Sequence, residues 1–453
     1  MQRLLPILLI LALSGCSLVP EYQRPKVPVP GQWSPQTAPT ADLTPDAWWT
    51  TFASPALDVL VDQALAANQD LAAGVARIRQ ARAVATIAGA PLWPQLDVAW
   101  SATDSDRSGG SDNLSSTTSS GTRSSTQLTL AYELDLFGRV AATRAAARNR
   151  VNASQFDLHA LRLLISGDTA QAAINLAATR ERLRLAKANL ETTRAVLAVL
   201  EAQFAAGRIS VLERDQQRTV VATTEASLAA LTQTEANIRN QLALLTGSAT
   251  PAFQAPDVDW AALALPAVVP TVPAALLTRR PDLRRAEAEL MAAGADIGAA
   301  RAALYPSVQI GWDRAWTRSP TATLTTLSAS ALAPLFRGGA LRGEVTYTEA
   351  RREELVANYR QAVLTAYREV SDALDAQRQS AQRSAALDQA ALATRAAYDG
   401  ARARFDAGAV DYAVLLDAQR SLISAEDAAV SARLDRFTAA LSLYRTLGGG
   451  DTA

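Results

Sequence analysis

The 453-residue sequence predicts a mainly α-helical fold that also carries β-hairpins of membrane type, arranged as two tandem repeats of helix, hairpin, long helix and return helix. Three observations predict it. The chain resembles itself at a nearly constant offset, two sets of strands alternate apolar and polar residues, and two helical stretches are long enough for rods of about 100 Å.

Composition sets the frame. Hydrophobic residues make up 49% and charged residues 19%, and 44 basic side chains balance 44 acidic ones. That balance gives no electrostatic case for nucleic acid or a strongly acidic partner. Aromatics are only 6%, while alanine, the best helix former, is abundant. No internal run of about 18 apolar residues occurs, which excludes a spanning helix. A membrane role would need another device.

The N-terminus offers one. Residues 1–15 read as a signal peptide, with Arg3 as the charge and Leu4 to Leu13 as the apolar stretch. It runs into Leu13-Ser14-Gly15-Cys16, and Cys16 is the only cysteine, so no internal disulfide can form. This pattern resembles a bacterial lipobox, in which cleavage leaves Cys16 as a lipidated N-terminus. Ser17 in place of an aspartate favours sorting to the outer membrane by the same resemblance. Each buried acyl CH₂ contributes about 0.8 kcal/mol, so several chains on one residue would anchor the protein stably in outer-membrane lipid. Residues 16–50, rich in proline from Pro20 to Pro45, read as an extended tether.

The repeat follows, as residues 51–247 and 273–447. Leu71 and Leu283, like Pro94 and Pro306, stand 212 positions apart, and Phe204 to Gly207 matches Phe405 to Gly408 at 201. The offset falls because the first half has the longer loop. Residues 248–272 form a connector between the halves, and 448–453 a tail.

Each half has one hairpin, at about 95–136 and 306–335. Leu96, Val98, Trp100 and Ala102 alternate with polar neighbours, as do Leu128, Leu130, Tyr132 and Leu134. Val308, Ile310 and Trp312 open the second pair, whose return strand, about Leu324 to Leu335, alternates poorly. Such two-faced strands fit a membrane barrel, with lipid on one face and water on the other; a soluble sheet with one buried face is the alternative. Four strands cannot close a barrel, and open edges in lipid leave unpaired N–H and C=O groups costing several kcal/mol each. Two copies would give eight strands, a size whose interior side chains fill, and three give twelve. The Ser/Thr/Gly/Asp run from Asp104 to Ser125 reads as a solvated outer loop, and the corresponding loop near Thr317 to Thr323 is shorter.

Long helices are expected over 138–205 and 340–405, with return helices over 210–247 and 411–447. Leu176, Leu183, Leu190, Leu197 and Phe204 recur every seventh residue, a coiled-coil seam. Ile423, Val430, Phe437 and Tyr444 keep the same spacing on the second return helix. Each rod ends at a glycine, Gly207 or Gly408.

Five stretches together resemble the TolC/NodT family of outer-membrane efflux proteins, in the lipoprotein branch that serves resistance-nodulation-division pumps. They are Tyr132-Glu133-Leu134-Asp135-Leu136-Phe137-Gly138-Arg139, Arg279-Arg280-Pro281-Asp282-Leu283-Arg284, Ile297 to Arg301 with Tyr305-Pro306, Pro334 to Gly339, and Leu415 to Leu422. The resemblance implies a homotrimer with a twelve-stranded barrel and a twelve-helix periplasmic tunnel. It also implies an equatorial belt from Ser248 to Pro273, the Trp48-Trp49 region and the C-terminus. Its partners would be a periplasmic membrane-fusion adaptor and an inner-membrane transporter, and its function the outer-membrane step of small-molecule efflux. The tips, Phe204 to Asp215 and Phe405 to Asp417, would close the tunnel, with Phe204, Gly207, Phe405 and Gly408 shaping the turns that meet the adaptor. Asp417, Asp215 and Asp411 are the candidate gate residues. The family places an aspartate nine residues after the second tip glycine, where Asp417 stands. Some members have another three residues earlier, where this chain has Val414, so a single acidic ring is expected.

No enzyme is read from the sequence. His159 is the sole histidine and Cys16 the sole cysteine, which leaves no zinc cluster and no usual Cys/His or Ser/His pair. Gly448-Gly449-Gly450 follows a helix without a preceding strand, so it stops a helix and does not hold phosphate. No cofactor is expected. The competing reading is a lipid-anchored periplasmic coiled-coil spacer without a pore.

Overall fold

The computed structural model describes residues 18–28, 33, 47–107, 119–266, 273–318 and 321–449. The signal peptide, Cys16 and the tail from residue 450 lie outside the described residues. In chain order, a 3₁₀ turn at Trp48–Phe52 precedes α1 (Pro55–Ala67) and α2 (Gln69–Gly89), then β1 (Gln95–Arg107) and β2 (Ser119–Leu134). Next come α3 (Arg139–Ala205), α4 (Val211–Leu245), α5 (Leu276–Arg279) and α6 (Pro281–Ala302). The chain continues through β3 (Ser307–Arg318), β4 (Ala322–Leu332), α7 (Ala340–Asp406) and α8 (Tyr412–Thr446). None of the described helices is long and apolar enough to cross a membrane.

The chain folds into two compact units that cut across the sequence halves. The first takes residues up to Lys26, Ala76–Gln155 and Arg285–Gln361; the second takes Val27–Val75, Phe156–Arg284 and the rest from Ala362.

The first unit holds the sheet, antiparallel throughout in the order β1-β2-β3-β4. The register sorts the residues by face. Leu96, Leu130, Trp312 and Leu327 form one cross-strand row, and Val98 and Leu128 lie in the next on the same side. The adjacent row, Asp97, Thr129, Asp313 and Thr326, lies on the opposite face. There Thr129 Oγ1 and Gln127 Nε2 donate to Asp313 Oδ1 at 2.8 and 3.2 Å. Two expectations need correcting. The run from Asp104 to Ser125 is not all loop, because β1 and β2 stay paired out to Arg107 opposite Ser119. Serine and threonine serve a wet strand as well as a loop, since ladder bonds need no apolar side chain. The second return strand is Ala322–Leu332 and not 324–335; its alternation is poor because Leu324 and Leu332 fall on the polar side.

Sheet and helix join at a built corner. Asp135 accepts from Val140 N at 3.1 Å and Ala141 N at 2.7 Å, satisfying two free donors at the start of α3. Arg139 grips Glu133 through both carboxylate oxygens at 2.9 and 2.8 Å, and Phe137 stacks on Tyr305 at 4.8 Å. The motif from Tyr132 to Arg139 is thus structural at each of these positions.

The second unit is helical. Leu176, Leu183 and Leu190 are buried along α3, as are Val430, Phe437 and Tyr444 along α8, whereas Leu197, Phe204 and Ile423 are half-buried, so each seven-residue seam faces inward over only part of its length. An aromatic core gathers distant segments: Trp48 stacks on Tyr444 at 5.3 Å, and Phe52 and Trp260 flank Phe437 at 6.1 and 5.6 Å. Arg280, 9% exposed, binds Asp282, Glu369 and the Thr446 carbonyl at 2.8, 2.8 and 3.2 Å, which explains its place in the Arg-Arg-Pro-Asp motif. The reading of 16–50 as a plain tether also needs correcting. Trp48 and Trp49 belong to the core, and Trp33 is buried edge-on to Tyr367 at 5.9 Å. Its aromatics have surfaces to bury against.

Candidate functional site

Two regions concentrate the features a channel would need. In the first unit it is the sheet itself. Leu96, Val98 and Trp100 on β1 are 60–71% exposed, and Leu327 on β4 is 77% exposed. A soluble sheet buries its apolar face, whereas this one is covered by none of the described residues. β1 and β4 each pair on one side only among the described residues, so both edges present free backbone groups.

In the second unit it is the pair of helix tips. Gly207, at φ +71°, ends α3: its N–H donates to Phe204 O at 2.9 Å, and Arg208 N donates to Gln203 O at 2.9 Å. Gly408, at φ +69°, ends α7 in the same way, with bonds to Phe405 O at 2.9 Å and from Ala409 N to Arg404 O at 2.8 Å. This two-bond cap needs a left-handed residue, which glycine adopts without strain. The returns start differently. Ser210 and Glu213 form a capping box at α4, while Asp411 occupies the N-cap of α8 without a side-chain capping bond.

The three candidate carboxylates have different surroundings. Asp215 accepts from Arg214 Nε at 2.8 Å and lies 3.8 Å from Arg218, and the Arg214 hydrogen bond holds its pKa below the usual carboxylate range. Its charge is therefore largely spent within its own helix. Asp411 is exposed at the start of α8. Asp417 is exposed beside the buried Leu415, Leu416 and Gln419, and makes no ion pair or side-chain hydrogen bond among the described residues. Phe204 lies under the Arg214 guanidinium at 4.3 Å, and Phe405 meets the Tyr412 ring edge at 6.3 Å. Val211, Leu212 and Val414 are at least half exposed around these turns.

Beneath the tips lies a buried polar bridge that sequence reasoning missed. Tyr412 Oη donates to Gln217 Oε1 at 2.7 Å, and Gln217 Nε2 donates to Thr193 O at 2.8 Å and to Gln419 Oε1 at 3.4 Å. Gln217 is fully buried and Gln419 is 3% exposed, with the Gln419 amide nitrogen unpartnered among the described residues. Burial pushes the Tyr412 phenol up to about 12, so it stays a donor at any physiological pH. The bridge ties α3, α4 and α8 together directly under the turns. Its signal was the repeat: Gln217 and Gln419 stand 202 positions apart, one residue from the offset of the tip glycines.

A family model described as outer membrane efflux protein matches residues 60–248 and 272–449, a span that includes the sheet and both tips. The chain belongs to the outer membrane efflux protein family. Among curated relatives it is similar to the pyoverdine export outer membrane protein OpmQ of Pseudomonas putida, 36% identical over 98% of this chain and 96% of that one. It is also similar to the cation efflux system protein CusC of Escherichia coli strain K12, 33% identical over 99% of each. A crystal structure of CusC superposes with a TM-score of 0.85 at 30% identity, covering 96% of this chain and all of that one. The efflux-family fold is therefore that of a mainly helical chain with a small antiparallel sheet.

Proposed function

We propose that this family member is the outer-membrane channel of a tripartite efflux pump, passing small molecules from a periplasmic adaptor and inner-membrane transporter to the outside. The observation that carries the reading is the uncovered apolar face on a four-stranded sheet with two open edges. In lipid that face is stable, but unpaired edge groups are not, so further copies must complete the wall. Three copies supply a twelve-stranded barrel and, from α3, α4, α7 and α8, a twelve-helix periplasmic tunnel. The two sequence repeats each bring one hairpin and one helix pair to it. Cys16 carries the lipid after removal of residues 1–15.

At the tips, the turns shaped by Phe204, Gly207, Phe405 and Gly408 meet the adaptor, with exposed Val211, Leu212 and Val414 as apolar contacts. Asp417 supplies the constriction with a threefold ring of charge. Asp215, neutralised by Arg214 and Arg218, acts in tip structure, and Asp411 sets the start of α8. The aligned relatives are named for cargoes as unlike as pyoverdine and cations. The cargo is accordingly set by the pump and adaptor, not by this channel.

Reconstitution in planar bilayers tests the reading. The native protein should conduct with cation preference, and Asp417→Ala should move the reversal potential toward the non-selective value while leaving conductance in place. Unchanged selectivity would remove Asp417 from the gate. Soluble monomers after loss of the lipid, with no conductance, would leave a periplasmic spacer.

A further inference from the structure

The segment after the lipobox is docked in the first unit along one face of α6. Val19 fills a notch above Gly298: a Cβ built on that glycine would overlap the Val19 side chain and come within 2.9 Å of its Cα. Farther along, Tyr22 Oη donates to Glu287 Oε1 at 2.9 Å, and Arg24 grips both oxygens of Glu287 through Nε and Nη2, each at 2.9 Å. Glu287 and Gly298 are separated by about three helical turns, so they share a face, and residues 19–24 run antiparallel to the helix along it.

The carboxylate at the centre of this contact depends on it. The Glu287 side chain is only 12% exposed, and a charge that covered is costly without partners. Burial and the bond to Glu287 both raise the Tyr22 pKa, which keeps its hydroxyl a donor. A second phenol stands by. Tyr359 on α7 is 1% exposed, its hydroxyl has no partner among the described residues, and the Glu287 charge acts on it. Glu287 thus has one phenol donor in use and a second buried one unused beside it.

We propose that residues 19–24 are a locking strap that holds the lipid-bearing end of the chain against α6, with Glu287 as the lock and the Gly298 notch as its keyway. The proposal rests on the reading of Cys16 as the acylated residue. Three residues span at most about 10 Å, so a strap fixed at Val19 keeps the acyl chains within that reach of Gly298. Without the strap the first fixed point would be Trp33, which would let them roam about 60 Å. The strap therefore assigns the lipid a place beside α6, nine positions before β3 begins at Ser307, where it registers the sheet to the bilayer.

The test uses the full chain, expressed with its signal in cells. A benzophenone amino acid in place of the exposed Glu21 should crosslink on illumination chiefly to the α6 peptide, read by mass spectrometry. Gly298→Val in the same chain should cut that crosslink about tenfold, because its side chain would fill the notch that Val19 occupies. Adding Tyr22→Phe and Arg24→Ala in place of Gly298→Val should weaken the crosslink about as much and lower the heat-resistant oligomer several-fold, while mass spectrometry of the N-terminal peptide finds Cys16 acylated as before. A crosslink to α6 that is absent with Gly298 in place, or unchanged by Gly298→Val, with acylation intact, would overturn the strap. An α6 crosslink with no acyl chain on Cys16 would overturn the anchor reading and leave the docked segment. Unchanged oligomer after loss of the Glu287 contacts would overturn its part in registering the sheet.

Discussion

An arginine at Leu130 should abolish assembly of the channel, and an arginine at the neighbouring Thr129 should leave it intact. Leu130 sits in the cross-strand row with Leu96, Trp312 and Leu327, at the centre of the apolar face. A guanidinium on the lipid side of a barrel costs about 2–4 kcal/mol near the bilayer midplane, and each copy in the assembly incurs it. Thr129 lies in the opposite row between Asp97 and Asp313, where an arginine would gain two carboxylates facing water. The readout is the fraction of protein that migrates as a heat-resistant oligomer from outer membranes. Leu130→Arg should bring it near zero, and Thr129→Arg should stay within about twofold of native. Equal losses would mean that the two faces do not meet different media.

Gly247→Val should be the most damaging single change in the helical unit. Gly247 follows α4 at φ +65°, and a Cβ there would overlap the backbone carbonyl oxygen of Ala67. A β-branched residue faces both the left-handed backbone and a neighbour that is main chain, so neither strain has an easy escape. The cost is on the order of 3 kcal/mol, which would lower the apparent unfolding temperature by about 3–5 °C in far-UV circular dichroism. Gly207→Ala is the control. It has a similar φ of +71° but nothing within 4 Å, so only the backbone cost of about 1–2 kcal/mol applies. Equal shifts for the two would show that the Ala67 overlap relaxes freely.

How far the sequence could be read follows from what each signal encodes. The long helices, their glycine stops and the inward seams were legible because heptad spacing and missing prolines act over many residues at once. The strands Gln95 to Arg107 and Ser307 to Arg318 were legible where apolar and polar residues alternate; β1 and β2 were blurred by serine and threonine toward their hairpin, and β4 by Leu324 on the polar side. Buried polar groups were the blind spot. Gln217 and Gln419 look like ordinary solvated helix residues until burial is known, and only their place in the repeat marked them. Asp215 could have been discounted earlier, because Arg214 and Arg218 stand one position before and three after it. The strap was hidden for the opposite reason: Pro20 marks an extended chain but says nothing of what that chain lies against.

The central claim is that four strands oblige copies of this chain to pair edge to edge and close after three. Single cysteines placed along β1 and β4 test it directly, since Cys16 is the only native cysteine and acylation would block its thiol. A panel pairing one cysteine on β1 with one on β4 should yield, in whole outer membranes under mild oxidation, disulfides between copies whose largest product is a covalent trimer. The register that links most efficiently would give the stagger of the closed wall. Edge cysteines that never link between copies, or that link into ladders beyond three, would contradict a closed twelve-stranded channel.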